Sequence, residues 1–405
     1  MRKKIAITEL KTGMYIDELC GSWMDHPFWK TAFKLKDPND LVSLQHSAIK
    51  DVWIDTAKGL DVAPQVPHWV KEGTDSHADQ SLKHAATDVS KIHVSVPLEL
   101  ELARAEQIRN EGRHAIMSMF AEVRMGKALP MDEMVILVDK INDSVMRNHS
   151  ALLSLVKLKN KDDYTYLHSV AVCALMIALG KQMGIEEKQL KLLGLAGLLH
   201  DVGKIAMPEA ILNKPGRLTD DEFALIKTHP VRGWEILKES PSMNALVQDV
   251  CLHHHERVDG AGYPDQLSGP ALTLAARMGA ICDVYDAITS DRCYKAGWPP
   301  AEAIRKMVEW QNGHFDATIF QAFVRTIGIY PVGTLLKLKS GRLAVVTDQS
   351  EKNLLKPIVK VFFSIRSNTL IKMELVDLSH TQDTIENIAH ADKWGLDVKK
   401  ITGIV

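Results

Sequence analysis

The chain has no apolar run long enough, and free enough of charge, to span a bilayer. Its opening stretch, MRKKIAITELKTGM, lacks the apolar segment of a secretory signal. Cysteine is scarce: Cys20, Cys173, Cys251, Cys282 and Cys293 are the 5 present, and none forms a CxxC pair. An odd, scattered set argues against a disulfide scaffold and against a cysteine-rich structural zinc site, and it fits a reducing compartment. Charge is balanced, with 49 Lys and Arg against 51 Asp and Glu for a net charge of −2. No global field therefore draws the chain to a nucleic-acid polymer or an anionic membrane. Neither an internal repeat nor a low-complexity tract is present. Together these absences predict a cytoplasmic globular protein with no membrane and no polymeric nucleic acid among its partners.

What is there is a large apolar complement, 46% of 405 residues, which suffices for two or three domains. Residues 1–62 read as a small α+β domain, with strands in KKIAITEL, GMYIDEL and DVWID. Trp23, Phe28, Trp29 and Phe33 make either its small core or a groove for a partner. Residues 63–95 turn polar and Pro-rich, as a mobile linker does. Residues 96–330 carry helical spacing throughout, starting with the long helix LELELARAEQIRNEGRHAIMSMFAEVRMGKAL. That helix either mediates contacts in a homodimer or packs on its own chain. A second helix over 131–157 has Val135, Ile136, Val138, Ile141, Val145 and Leu152 at helical spacing. TDDEFALIKTHP predicts a helix capped by Thr219 and ending at His229 before Pro230. Residues 331–405 change to a two-residue period, as in a β-rich C-terminal appendage with a hairpin at Ser340 and Gly341. The fold class is thus multidomain and mainly α.

Among 17 histidines, His77, His84 and His93 lie in polar sequence and read as surface residues. Others interrupt apolar helices. The run KLLGLAGLL ends in His200 and Asp201, and Lys204 follows one turn later. His168 shares a face with Val172 and Leu175. A lone histidine there is more often a satisfied core residue than a ligand. Yet His168, His200, Asp201, His229, His254, His255 and Asp283 come from five buried-looking segments, and buried imidazole and carboxylate are costly unless paired or bound to a cation. Neutral imidazole with carboxylate suits iron, manganese or zinc. A carboxylate able to bridge, such as Asp201, would let two cations sit about 3.5–4 Å apart. That spacing clamps phosphoryl oxygens and brings the pKa of water down toward roughly 7, which is phosphoester hydrolysis without a protein nucleophile.

The motifs YTYLHS, HDVGKI, NKPGRL, KTHP, HHERVDGAGYP and DVYDAITSDRCYK occur in this order over roughly Asp163–Ile327. As a set the chain resembles the HD-GYP family of cyclic dinucleotide phosphodiesterases, a branch of the HD superfamily of metal-dependent phosphohydrolases. The first 62 residues look like the small domain that often precedes HD-GYP modules. The resemblance implies an all-helical HD-type catalytic bundle. It implies metal ligands at His168, His200, Asp201, His229, His254, His255 and Asp283. Lys204 would contact the scissile phosphate or the bridging hydroxide, and Asp201 and Lys204 would be catalytic. Gly262, Tyr263 and Pro264 would shape the substrate pocket, with Arg292 and Lys295 facing phosphate.

Three positions depart from the pattern or leave a choice. Tyr164 stands where members with three metals have a Glu, so two divalent cations are expected. Iron or manganese are the first choices, with zinc, nickel or magnesium able to load in a preparation. Cys293 stands where many members have Pro. Of the three consecutive histidines, His253 is the spare. The implied substrate is cyclic di-GMP or 3′3′-cyclic GMP-AMP, cut to the linear dinucleotide or onward to mononucleotides. The alternative from another class is a signalling adaptor that binds the nucleotide, or a diguanylate cyclase domain, without cutting. Another HD-type nucleotide hydrolase is a third reading.

Overall fold

The computed structural model describes residues 2–7, 10–20, 32–35, 38–45, 50–59, 96, 98–156, 164–214, 216–240, 243–290, 297–350 and 353–403. The expected linker, Trp23, Phe28, Trp29, Arg292, Cys293 and Lys295 lie outside these residues, as does the side chain of Tyr164. Two compact units result, Met1–Asp75 with Asn213–Thr219 and Ser76–Leu212 with Asp220–Val405. Among the described residues no helix is long and apolar enough to cross a membrane.

In the first unit, β1 (Arg2–Ala6), β2 (Tyr15–Cys20), β3 (Phe33–Lys34) and β4 (Asp51–Asp55) form an antiparallel sheet in the order β1-β4-β2-β3. Alternation decides the inner face: Val52 and Ile54 are buried while their neighbours are not. Helix α1 (Pro38–Gln45) contributes Leu44 to a core with Ile5, Leu10, Met14, Ile16 and Leu35. Phe33 packs against that core, half-buried.

The second unit is mainly helical. α2 (Leu98–Arg124) and α3 (Met131–Val156) run antiparallel, since Glu101 meets Arg147 at one end and Glu111 meets Lys140 further along. α3 buries Val138, Ile141, Val145 and Leu152 as its spacing predicts, but Val135 and Ile136 are about half exposed, at 47% and 56%. At 100° per residue the stripe through Met134, Leu137, Val138 and Ile141 leaves those two on the outer side. α3 breaks at Asn148 (φ −159°, ψ 103°), whose side-chain oxygen accepts from the amides of Ser150 and Ala151 and so caps a new helical turn.

Glu101 is fully buried and accepts from Arg147 (2.8 and 2.9 Å) and Ser144 (3.0 Å). Burial alone would raise its pKa, but these bonds outweigh it and hold the carboxyl below its ordinary 4.5. A depressed carboxyl contributes stability that is full above the unfolded value and is lost as pH falls through the folded one. Arg147→Ala should therefore lower stability by about 2 kcal/mol at pH 7. The deficit should begin to shrink below about pH 4.5, where the unfolded chain binds the proton, and go on shrinking as pH falls toward the lowered folded value. Urea melts at pH 7 and pH 4 read both effects, and equal deficits at the two pH values would contradict the assignment.

α4 (Tyr164–Gln182) is buried almost all round, and α5 (Glu187–Leu199) lies against it. At Gly197 backbone meets backbone: a Cβ there would sit 2.8 Å from the Val172 carbonyl oxygen. A 3₁₀ turn (Val202–Ala206) and α6 (Glu209–Leu212) follow, then α7 (Asp220–Ile226), α8 (His229–Lys238), α9 (Ala245–His253) and α10 (Leu274–Thr289). The helix expected to end at His229 stops at Ile226, and His229 instead opens α8 with Pro230 beside it. Proline, lacking an amide hydrogen, suits that first turn and not the end of the previous helix. α11 (Pro300–His314) and α12 (Ala317–Ile327) lead to a five-stranded antiparallel sheet. Its strands β5 (Leu335–Leu338), β6 (Arg342–Asp348), β7 (Ile358–Ser364), β8 (Thr369–Asp377) and β9 (Ile385–Ile388) are ordered β8-β7-β6-β5-β9. The hairpin turns at Gly341 (φ +81°), as expected, while β9 and the closing helix α13 (Val398–Thr402) were not anticipated.

Candidate metal centre

Five chain segments deliver seven side chains to one buried place. His168 lies in the first turns of α4, and His200 and Asp201 follow the end of α5. His229 opens α8, His254 and His255 follow α9, and Asp283 sits within α10. All seven are no more than 8% exposed. Helix ends are suitable mounts, because their terminal carbonyls have no helical partner and can hold a ring. His200 Nδ1 donates to the Gly197 carbonyl (2.8 Å), His229 Nδ1 to Ile226 (2.7 Å) and His254 Nδ1 to Cys251 (2.9 Å). His168 Nδ1 donates to the Asp286 carboxylate at 2.6 Å.

With each Nδ1 committed as a donor, each Nε2 presents a lone pair inward. His168 Nε2 and His200 Nε2 are 3.2 Å apart, and His229 Nε2 and His254 Nε2 are 3.3 Å apart. Lone pairs facing one another at that distance repel unless a cation stands with them. Potential ligand atoms gather at two ends, His168, His200 and Asp283 at one and His229, His254 and His255 at the other, and a third group, His200, Asp201 and His254, overlaps both. Asp201 lies between them, with Oδ2 at 3.3 Å from His200 and Oδ1 at 3.2 Å from His229. Asp201 Oδ1, His255 Nδ1 and Asp283 Oδ2 are buried with no hydrogen-bond partner among the described residues, the condition of atoms kept for a cation.

The local field agrees. Burial opposes charge on Asp201 and Asp283, yet both stay well below the ordinary carboxylate range. The Lys204 ammonium and the His200 ring outweigh burial at Asp201, and the His168 hydrogen bond leads at Asp283. Burial presses His254 down to about 3 and His255 well below its ordinary value, so both rings are neutral. His200 is the reverse: Asp201 and Asp283 overcome its burial and raise it, a sign that the pocket favours positive charge at this point. Ionised carboxylates and neutral imidazoles form the donor set that borderline divalent cations take.

Lys204 Nζ lies 2.5 Å from Asp201 Oδ2, at the rim of the cluster. Gly203 beside it touches α8 so closely that a Cβ would meet the His229 carbonyl oxygen at 1.9 Å. The Gly262–Pro264 turn closes another side. Tyr263 stacks on His255 with centroids 4.8 Å apart and planes at 28°, and the Tyr263–Pro264 bond is cis. A Cβ at Gly262 would lie 2.4 Å from the Glu256 Cα, so only glycine lets the turn approach. Glu256, buried, accepts from the Asp265 amide at 2.7 Å and fastens the turn from within. His253 faces away, held by Asp249 (2.8 Å) and Asp265 (3.1 Å).

Sequence reasoning passed over Asp286 and Glu256. The signal for Asp286 was its place one turn after Asp283 on an apolar helix. Asp286 also accepts from the Ser290 hydroxyl at 3.4 Å, and within the cluster its bond goes to the His168 ring, which it aims. Asp286→Asn should lower divalent-cation affinity by about 10–100-fold, as losses of such orienting partners do. A chelator-dye competition with Mn²⁺ measures this, and unchanged affinity would remove Asp286 from the assembly.

Comparison with known proteins places the chain. The HD domain family model matches residues 144–319, and a domain of unknown function, DUF3391, matches residues 2–134. Helices, buried His-Asp cluster and family match together define a protein with an HD-type phosphohydrolase fold. A cyclic di-GMP phosphodiesterase, PA4108 of Pseudomonas aeruginosa, is 50% identical over 397 residues, 97% of this chain and 94% of that protein. The response regulator RpfG of Xanthomonas campestris, also a cyclic di-GMP phosphodiesterase, is 34% identical over 203 residues, 49% of this chain and 53% of that one. A 3′3′-cGAMP-specific phosphodiesterase of Vibrio cholerae is 36% identical over 176 residues, 43% of this chain and 41% of that one. The chain belongs to the HD-GYP family of cyclic dinucleotide phosphodiesterases.

Proposed function

We propose that this protein hydrolyses a 3′–5′ phosphodiester of a bacterial cyclic dinucleotide, with cyclic di-GMP as first substrate and 3′3′-cyclic GMP-AMP as second. The product is the linear dinucleotide, or the mononucleotides where a second cut follows. The observation that carries the reading is Asp201, whose two oxygens face two separate histidine groups. In this reading two divalent cations, iron or manganese, are held by His168, His200, Asp201, His229, His254, His255 and Asp283. When bound, such cations supply Lewis-acid stabilisation of the phosphoryl oxygens and an activated water.

The chain's own groups do the rest. Asp286 and the carbonyls of Gly197, Ile226 and Cys251 keep the rings aimed, so little reorganisation accompanies reaction. Lys204, at the rim, swings from Asp201 to a phosphoryl oxygen of the scissile diester and offsets the charge that grows there. Gly262, Tyr263 and Pro264 wall the pocket and exclude water from the far side. Arg292 and Lys295 are assigned to phosphate on the strength of their family positions. Residues 96–330 are the catalytic portion, and residues 1–62 are assigned a regulatory or dimerising role.

The test is elemental analysis of anaerobically purified protein, paired with a substrate panel in Mn²⁺ or Fe²⁺. Linear dinucleotide from cyclic di-GMP is the expected product. Binding without cleavage would instead make the protein a nucleotide-sensing adaptor.

A further inference from the structure

The cluster and Lys204 account for one phosphodiester. A cyclic dinucleotide carries a second, with its own negative charge. Arg292 and Lys295, assigned to phosphate above, lie outside the described residues. Among the described residues Lys227 is a cation placed beside the cluster. We propose that Lys227, held beside the ring of Tyr263, forms the subsite for the phosphodiester that is not being cut. The inference rests on the substrate reading given above.

Lys227 lies in the turn between α7 and α8, two residues before His229. Its amide donates to the Phe223 carbonyl at 3.0 Å, which fixes the backbone. Its Nζ lies 4.7 Å from the Phe223 ring centroid and 5.3 Å from that of Tyr263. Tyr263 is itself stacked on His255. The ammonium is thus one aromatic ring removed from the histidine cluster. Two rings restrain a stem that would otherwise sweep freely, and cation–π attraction rewards the placement.

Its charge is also unmatched. Lys204 is paired with Asp201, Arg257 with Asp259 and Arg277 with Asp316. Lys227 has no carboxylate partner among the described residues. Aromatic rings place the cation without neutralising it, which leaves it for an anion from outside. A charge-assisted bond to a phosphate oxygen is among the stronger polar contacts a surface can offer.

Lys227→Met keeps the stem over the rings and removes the charge. Its KM for cyclic di-GMP should rise on the order of ten-fold or more, with the loss in KM and not in kcat. Toward bis(p-nitrophenyl) phosphate, a diester with a single phosphate, the loss should be markedly smaller. Lys227→Arg should recover most of the difference. Equal losses on both substrates would place the effect at the cluster and overturn the subsite, as would an unchanged KM for cyclic di-GMP. Failure of the substrate reading looks different: the unaltered protein would then cut the single diester and leave both cyclic dinucleotides intact.

Discussion

Asp201→Ala is expected to lose cyclic dinucleotide hydrolysis by at least about 10³-fold while keeping its helical far-UV spectrum. Asp201 is 1% exposed and faces His168 and His200 with one oxygen and His229 and His254 with the other. Asp283 also touches both groups, with Oδ1 on His168 (2.9 Å) and Oδ2 on His255 (3.7 Å), but Asp201 meets two histidines with each of its oxygens. Removing this carboxylate takes from each histidine group the oxygen that faces it, and from Lys204 the partner it has among the described residues. Several kcal/mol of charge stabilisation go with it, and each 1.36 kcal/mol is about ten-fold in rate. The helices should persist, because they are packed by Leu193, Leu198, Val172 and their neighbours and not by this carboxylate. Two readouts are joined here, the turnover number in saturating Mn²⁺ and metal content per chain. Full turnover by the variant would show that the cluster is not the reacting site.

The second large effect is structural. Gly203→Ala should destabilise the fold by about 3 kcal/mol or more and scatter the histidines. The added Cβ would lie 1.9 Å from the His229 carbonyl oxygen and 2.4 Å from the Gly233 amide nitrogen. Both are backbone atoms, so no side chain can rotate aside. Either α8 moves as a body, carrying His229 off its place, or the turn after α5 does, carrying Asp201. Gly184→Ala is the control. Gly184 has a left-handed φ of +74° but nothing within 4 Å of a Cβ, so strain of about 1–2 kcal/mol is expected there and no change in metal content. Urea midpoints and metal analysis on both variants decide the matter. A Gly203→Ala protein with ordinary stability and full metal content would mean that this contact is looser than its distances imply.

These two residues also show what could be read in advance. Asp201 was legible because a carboxylate at the end of an apolar helix needs an explanation, and the same logic led to His168, His200, His229, His254, His255 and Asp283. His253 was separated from its two neighbours by the motif alone, and its contacts with Asp249 and Asp265 place it outside the cluster. Gly203 was not legible, since nothing in a string of letters says which backbone will pass within touching distance. Asp286 was visible as an acid on α10 but not as the partner of His168, because that needs the crossing of α4 and α10. Periodicity found the long helices yet misjudged Val135 and Ile136, where neighbouring apolar residues share a stretch but not a face. Short irregular pieces, β3 and β9 among them, left too little pattern to detect.

The ring clamps differ in kind, and that difference bears on heredity. His200, His229 and His254 are held by main-chain oxygens, which every amino acid supplies. A point mutation at Ile226 or Cys251 keeps the clamping oxygen, and at Gly197 it is the close approach to Val172, not the loss of the oxygen, that limits change. His168 alone leans on a side chain, and a single base change can erase that carboxylate. Lineages of this enzyme can therefore detune one corner of the site by drift at position 286, while the other three corners are insured by the peptide bond itself.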